Sequence, residues 1–389
     1  MSNAPLFEIE MAEFWDDPYP ALKAMREKAP ICNVPQLGGT LFTRRDDIFV
    51  CEKNIEIFSS HQPEGLMNRL MGHNLMRKDG EAHADERKAI FPTVSPSTVR
   101  NHWKSRFEEI TDEIIDELHS KGRAELCSQY AMPVSGEALK IITGLTNISH
   151  HEMDSWSQAM IDGIANYQGD KEIEAHCCDA TNKIDAAIDD MIPVVTKQPD
   201  YSLLSVMLEA QMPMDSLRAN IKLAISGGQN EPRDVIAGAT WALLSHRQQL
   251  EKVLSGNIAW KQVFEEYCRW ASPIGMTPRR IAANFTFDGI EFYENDKIFF
   301  MFNSANHDEK YFEYADRFDL DRDASKSIAF GAGPHFCAGA WAARALVGEV
   351  ALPKLFERFD NLRICGDKNV KFSGWAFRGP QEVLVEWDN

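Results

Sequence analysis

One stretch constrains this chain more than any other: Ile328-Ala-Phe-Gly-Ala-Gly-Pro-His-Phe-Cys337-Ala-Gly339-Ala-Trp-Ala-Ala-Arg344. A glycine-rich loop runs into small and apolar residues of good helix propensity. Gly331 and Gly333 permit positive φ and let the backbone approach something flat and bulky. Cys337 stands at the junction, where the unpaired N–H groups of a first helical turn and the positive end of its dipole favour a thiolate. Gly339 removes side-chain bulk where the new helix would press against a ring. A thiolate held this way, with no second cysteine at metal-site spacing, suits the axial position of a haem iron. A buried core cysteine behind a glycine turn uses the same residues, and the stretch alone leaves both readings open.

The pattern Phe330-Gly331-x-Gly333-x-His335-x-Cys337-x-Gly339 resembles the haem-binding loop of the cytochrome P-450 enzymes. The resemblance implies haem b (iron protoporphyrin IX) as cofactor. Cys337 would be the metal ligand, with Phe330, Gly331, His335 and Gly339 against the cofactor. It also implies a mainly α fold with small β-sheets (α+β), as a single haem domain over 1–389. A β-rich N-terminal lobe is expected over about 1–60, and a helical lobe with the haem site over most of the remainder.

Composition narrows the functional classes. The formal net charge of −18 argues against nucleic acid as a partner. No run approaches the roughly 18 apolar residues of a membrane span, and Met1 to Glu13 lacks a signal-peptide pattern. The eight cysteines lack CxxC spacing, which points to reduced thiols and a cytoplasmic location. His176-Cys177-Cys178 reads as structural, because adjacent cysteines do not easily share a tetrahedral ion.

Taken in order, Phe14 to Lys28 has helical spacing, Ile31 to Val34 and Thr40 to Thr43 read as a hairpin around Gly38-Gly39, and Asp46 to Lys53 returns to helix. From Gln62 to Lys78 no periodicity survives, although Met67, Leu70, Met71, Leu75 and Met76 are apolar. Such a loop is either poorly ordered or covers a pocket, and the resemblance implies the second. Asp79 to Arg87 opens a helix, with His83 and Arg87 four apart on one face. The resemblance places these two against the haem propionates, whose buried carboxylates need cationic donors.

Helical spacing then continues through Trp103 to Ser120, Pro133 to Thr143, His151 to Gly163 and Ile173 to Met191. Asp215 to His246 reads as the longest helical segment. Its middle, Ser226-Gly-Gly-Gln-Asn-Glu-Pro-Arg233, carries two glycines and a proline at about 1 kcal/mol per Gly and roughly 3 for Pro. The resemblance makes this the distal helix above the iron, whereas a plain helix boundary at Gly227-Gly228 stays open. Glu266-x-x-Arg269 matches the family's structural ion pair, and 304–322 its meander. Arg280 matches the third propionate partner, with Arg279 the alternative. Val383 to Trp387 reads as a strand.

The resemblance implies monooxygenation, in which the cysteinate promotes O–O cleavage. Electrons from NAD(P)H would come through a ferredoxin or flavoprotein reductase. The family's distal acid and threonine fall on Asn230 and Glu231, so catalytic candidates are Glu231, Asn230 and Gly228. Either Glu231 relays protons or water in the gap does so, and a Glu231 that points away and ties down Arg233 or another surface cation stays open. Pro232, lacking an N–H, would open the helix and leave carbonyls free to hold water.

Gln-Asn-Glu-Pro, Ser272-Pro-Ile, Ser304-Ala-Asn-His-Asp and Gly374-Trp-Ala-Phe-Arg-Gly-Pro together resemble a bacterial branch of small-aromatic O-demethylases of the guaiacol type. Carried over, that branch's substrate pocket falls on Leu223, Gly227, Ile274, Thr277, Pro278 and Phe377. Two of its three clamp aromatics fall near Met71 and Ile164, which are aliphatic. A small apolar, aromatic substrate is therefore expected in a reshaped cavity. Hydroxylation of a terpenoid or fatty-acid-like substrate stays open. So does another class, a non-oxygenase haem-thiolate reductase, dehydratase or ligand sensor.

Overall fold

Gly38, at φ +67°, turns the chain between strands Ile31–Val34 and Gly39–Phe42. Around that hairpin grows a five-stranded sheet. Lys297–Met301 runs parallel to Gly39–Phe42, and Met276–Ile281 pairs antiparallel with Lys297–Met301. Phe58–Ser59 closes the far edge against Ile281 and Arg280. Because successive side chains alternate faces, this sheet buries two layers. Phe42, Phe58, Ile281, Ile298 and Phe300 pack on one side, and Leu22, Leu41, Phe299, Met301 and Trp375 on the other. The computed structural model describes every residue except 167–168, 367–369 and 389.

Backbone proximity divides the chain into two units. The first, which holds this sheet, takes residues 1–62, 238–337 and 366–383; the second takes 63–237, 338–365 and 384–389. The β-rich unit is thus assembled from three segments and extends well beyond the first sixty residues. No local pattern announces that, because strands 276–281 and 297–301 join a hairpin more than two hundred residues earlier.

The second unit is helical around a cluster that includes Met71, Leu139, Met160, Ile184, Met207 and Ile221. Its helices include Gly80–Val94, Lys104–His119, Met132–Thr143, His150–Ile164, Lys171–Lys197 and Met214–Ser226. Ser149 caps His150–Ile164 in a capping box with Glu152. A small sheet pairs Leu384–Glu386 with Arg123–Glu125 and Arg363–Ile364.

Three expectations change. Residues 62–78 are not structureless: a short helix spans Leu66–Met71 and a 3-10 turn spans Leu75–Arg77. Met67, Met71 and Leu75 are buried in the helical cluster, and six residues are too few for a period to show. Phe14 to Lys28 is two helices, Met11–Asp16 and Tyr19–Lys28, parted at Asp17-Pro18. The longest described helix is Lys171–Lys197, because 215–246 is divided into Met214–Ser226 and Asn230–Ser245.

Candidate active site

The cysteine loop lies in the first unit and is closed by its own backbone. Asn306 Oδ1 accepts the Ile328 N–H at 2.8 Å and so anchors the loop's start. Gly331 and Gly333 take φ of +71° and +64°, a region other residues rarely enter. The Cys337 N–H then donates to Phe330 O at 2.9 Å, which fixes the cysteine backbone over the turn. A helix follows from Ala340, with Gly339 as its N-cap. Phe330 stacks on Phe264, ring centroids 5.9 Å apart. The His335 ring Nε2 lies 3.1 Å from Ser60 Oγ.

Cys337 is exposed, which rules out the buried core cysteine that the sequence left open. A Cβ built on Gly339 would meet nothing within 4 Å, so the protein leaves open space at that position. Among the described residues no group of three or more His, Cys, Asp or Glu side chains is arranged to hold an ion. A metal on Cys337 would need its remaining ligands from outside the protein. A porphyrin brings four nitrogens, so the donor set fits a haem iron and does not fit a bare ion.

The two arginines of strand Met276–Ile281 face opposite ways. Arg279 is buried, and its guanidinium bonds Glu52 at 2.6 Å, Thr277 Oγ1 at 2.8 Å and Pro278 O at 2.9 Å. Arg280 is partly exposed and bonds His61 O at 3.0 Å and Asn295 Oδ1 at 2.7 Å. Arg279 is therefore committed to a carboxylate, and Arg280 is the better donor for another anion. In the second unit His83 is buried and Arg87 half-buried, on one face of Gly80–Val94.

The Gly227-Gly228-Gln229 break parts helix Met214–Ser226 from helix Asn230–Ser245, and most of its polar groups have partners. Gly228 has a packing role that sequence reasoning missed: a Cβ there would lie 2.5 Å from Ala224 O and 3.0 Å from Leu139 Cδ1. Pro232 stands in the first turn of Asn230–Ser245, where its missing N–H costs nothing. Of the carbonyls at the break, Gln229 O accepts from Ser135 Oγ at 2.7 Å, and the same hydroxyl approaches Gly228 O at 3.4 Å. Asn230 is buried, accepts from Ser157 Oγ at 3.2 Å and donates to Gln158 Oε1 at 3.2 Å. That amide is used to fasten helix His150–Ile164, so it is a positioning group and not a proton donor.

Glu231 differs from all of these. Both carboxylate oxygens are buried without a hydrogen-bond partner among the described residues. Arg233 does not tie it down, since that guanidinium bonds Asp154 at 3.0 Å and Asp234 at 2.9 Å. Burial pushes the Glu231 carboxyl up to about 7, against the pull of its own backbone N–H; the Asp234 charge adds to the rise and Arg233 opposes it. A carboxyl that titrates near neutrality can hold a proton and release it.

The candidate substrate residues fall into two groups, each within one unit. Met71, Ile164 and Leu223 belong to the aliphatic cluster of the helical unit, and Gly227 is exposed at the break. In the first unit Thr277 and Pro278 lie on the strand Met276–Ile281, while Ile274 pairs antiparallel with Phe377. Gly374, at φ +92°, makes the turn that brings Phe377 there. Also in the first unit, Glu266 and Arg269 form a fully buried bidentate pair, both contacts 2.7 Å. Arg269 donates further to Asn306 O, Ala315 O and Arg317 O, and so pins the 304–322 meander.

Comparison with known proteins points to the same family as the cysteine loop. A family description, Cytochrome P-450, matches residues 259–375. A polyketide-biosynthesis cytochrome P-450 of Bacillus subtilis, PksS, is 25% identical over 92% of this chain and 92% of its own length. A steroid C26-monooxygenase of Mycolicibacterium smegmatis is 26% identical over 94% of this chain and 91% of its own. Among solved structures, a cytochrome P-450 in complex with an acyl carrier protein bearing hexadec-9Z-enoic acid superposes with a TM-score of 0.88. It covers 97% of this chain and 100% of that one at 19% identity.

Proposed function

The chain belongs to the cytochrome P-450 family and is a haem-dependent monooxygenase, and from that premise we propose that it hydroxylates an apolar, largely aliphatic substrate with protons supplied through Glu231. The exposed Cys337 in its closed glycine loop carries the reading. When bound, the haem supplies the binding and reduction of dioxygen, with electrons from a ferredoxin or flavoprotein reductase. On the resemblance, His83, Arg87 and Arg280 are the donors for the haem carboxylates, and His335 lies against the cofactor. No described helix is long and apolar enough to cross a membrane.

Glu231 is the side chain that can move a proton at the helix break. Its neighbours are fixed by Ser135, Ser157, Gln158 and Asp154, so the break cannot close over it easily. The aliphatic identity of Met71 and Ile164, where an aromatic clamp stood in the sequence comparison, supports a substrate wider or more flexible than a single methoxy-arene. The steroid and polyketide roles in the names of the relatives support the same direction. O-demethylation of an aromatic ether rests on the segment resemblance alone and is the second reading.

The test is a screen of steroids, fatty acids, terpenoids and guaiacol for a substrate-induced change in iron spin state, followed by product analysis with a ferredoxin system. Turnover of an aliphatic class by hydroxylation supports the proposal. Exclusive response to methoxy-arenes contradicts it. With the substrate found, Glu231→Gln is expected to bind it normally but to send more of the consumed reductant into hydrogen peroxide. Equal coupling in both proteins removes Glu231 from proton delivery.

A further inference from the structure

Of the Arg279-Arg280 pair, Arg279 is the one that the haem reading leaves without a role, and its surroundings point to one. Its partner Glu52 caps the C-terminus of helix Arg45–Cys51 and lies in the same unit as the cysteine loop. The pair is almost fully withdrawn from water, 3% exposed for the arginine and 1% for the glutamate. Glu52 meets the loop at three places. Its Oε2 faces the Ala332 N–H at 3.4 Å, the same oxygen stands 3.3 Å from where a Cβ on Gly331 would be, and its carbonyl stands 2.8 Å from a Cβ on Gly333. The two glycines are required by positive φ and again by the nearness of this one residue. The other end of the loop is closed by the Cys337 N–H on Phe330 O, so a shift at Ala332 has only the four residues 333–336 over which to dissipate before the cysteine.

We propose that Glu52 and Arg279 are a positioning pair for the Cys337 loop: Glu52 fixes the loop backbone, and Arg279 neutralises the Glu52 charge behind it. Neither is a catalytic residue. Stranding one charge of a pair withdrawn from water acts on its surroundings at short range with little screening. Glu52→Gln leaves Arg279 positive, Arg279→Gln leaves Glu52 negative, and the double variant leaves neither. Reduction of the iron adds an electron, so a stranded positive charge favours the reduced form and a stranded negative charge opposes it.

The inference rests on Cys337 being the iron ligand. The experiment is spectroelectrochemical titration of the haem-loaded wild type, Glu52→Gln, Arg279→Gln and the double variant. The reduction potential is expected to rise in Glu52→Gln, to fall in Arg279→Gln and to return close to wild type in the double variant. Potentials equal in all four, or shifts of the same sign in both single variants, overturn the positioning pair. Should a single variant lose its haem during purification, the double variant is expected to keep it, because it strands no charge. Loss from the double variant as well overturns the proposal. Failure of the ligand reading is distinguishable, because it would show as an unaltered carbonyl spectrum in Cys337→Ser.

Discussion

Glu231→Gln is expected to make the protein more stable, increasingly so as pH rises. The Glu231 carboxyl goes from an ordinary value of 4.5 to about 7 on folding, chiefly through burial. A carboxyl raised in the folded state costs nothing when both states are protonated. The cost appears above the unfolded value and is complete above the folded one. Each tenfold change in proton affinity is worth about 1.4 kcal/mol, so the full cost is about 3 kcal/mol at pH 8 and about 1 kcal/mol at pH 5. Glutamine is similar in size and stays neutral, so it escapes the cost at every pH. At roughly 2 °C per kcal/mol, the low end for large domains, the variant should melt about 6 °C higher than wild type at pH 8. Differential scanning fluorimetry at pH 5 and pH 8, on protein with matched haem content, reads this directly. A difference independent of pH, or a less stable variant at pH 8, would refute the burial of this carboxyl.

Two further outcomes follow from the buried charges. Glu266→Gln should cost about 3–5 kcal/mol, because it leaves Arg269 fully buried without its carboxylate; a melting temperature equal to wild type would contradict the pair's role. Arg87→Ala and Arg280→Ala should each lower haem retention on a desalting column, since removing one cationic donor strands a carboxylate of the cofactor; full occupancy in both would take these residues out of the haem site.

What could be read from sequence was local. Gly331, Gly333 and Cys337 lie within seven residues, and their backbone requirements are written in the residue types themselves. The hairpin at Gly38 and the Glu266–Arg269 spacing are similar cases. What stayed hidden depended on residues far apart. Glu52 and Arg279 are 227 positions apart, and nothing near either residue marks the contact. Pro232 reads in sequence as a helix-opening residue, yet it falls in a first turn, where its missing N–H breaks no bond, and Ser135, nearly a hundred residues earlier, bonds Gln229 O. Asn230 resembles a distal acid by position, but its partners lie on helix His150–Ile164, which sequence order does not bring near. Leu66–Met71 escaped notice because a single buried turn or two has no period to detect.

The central claim is that Cys337 is the iron ligand, and the most direct measurement is the absorption spectrum of the reduced carbonyl complex. In wild type the thiolate should give the strongly red-shifted Soret band, and Cys337→Ser should abolish it. Cys268→Ser, at a buried position on helix Trp260–Ala271, should leave the band in place. A red-shifted band that survives in Cys337→Ser would contradict the account.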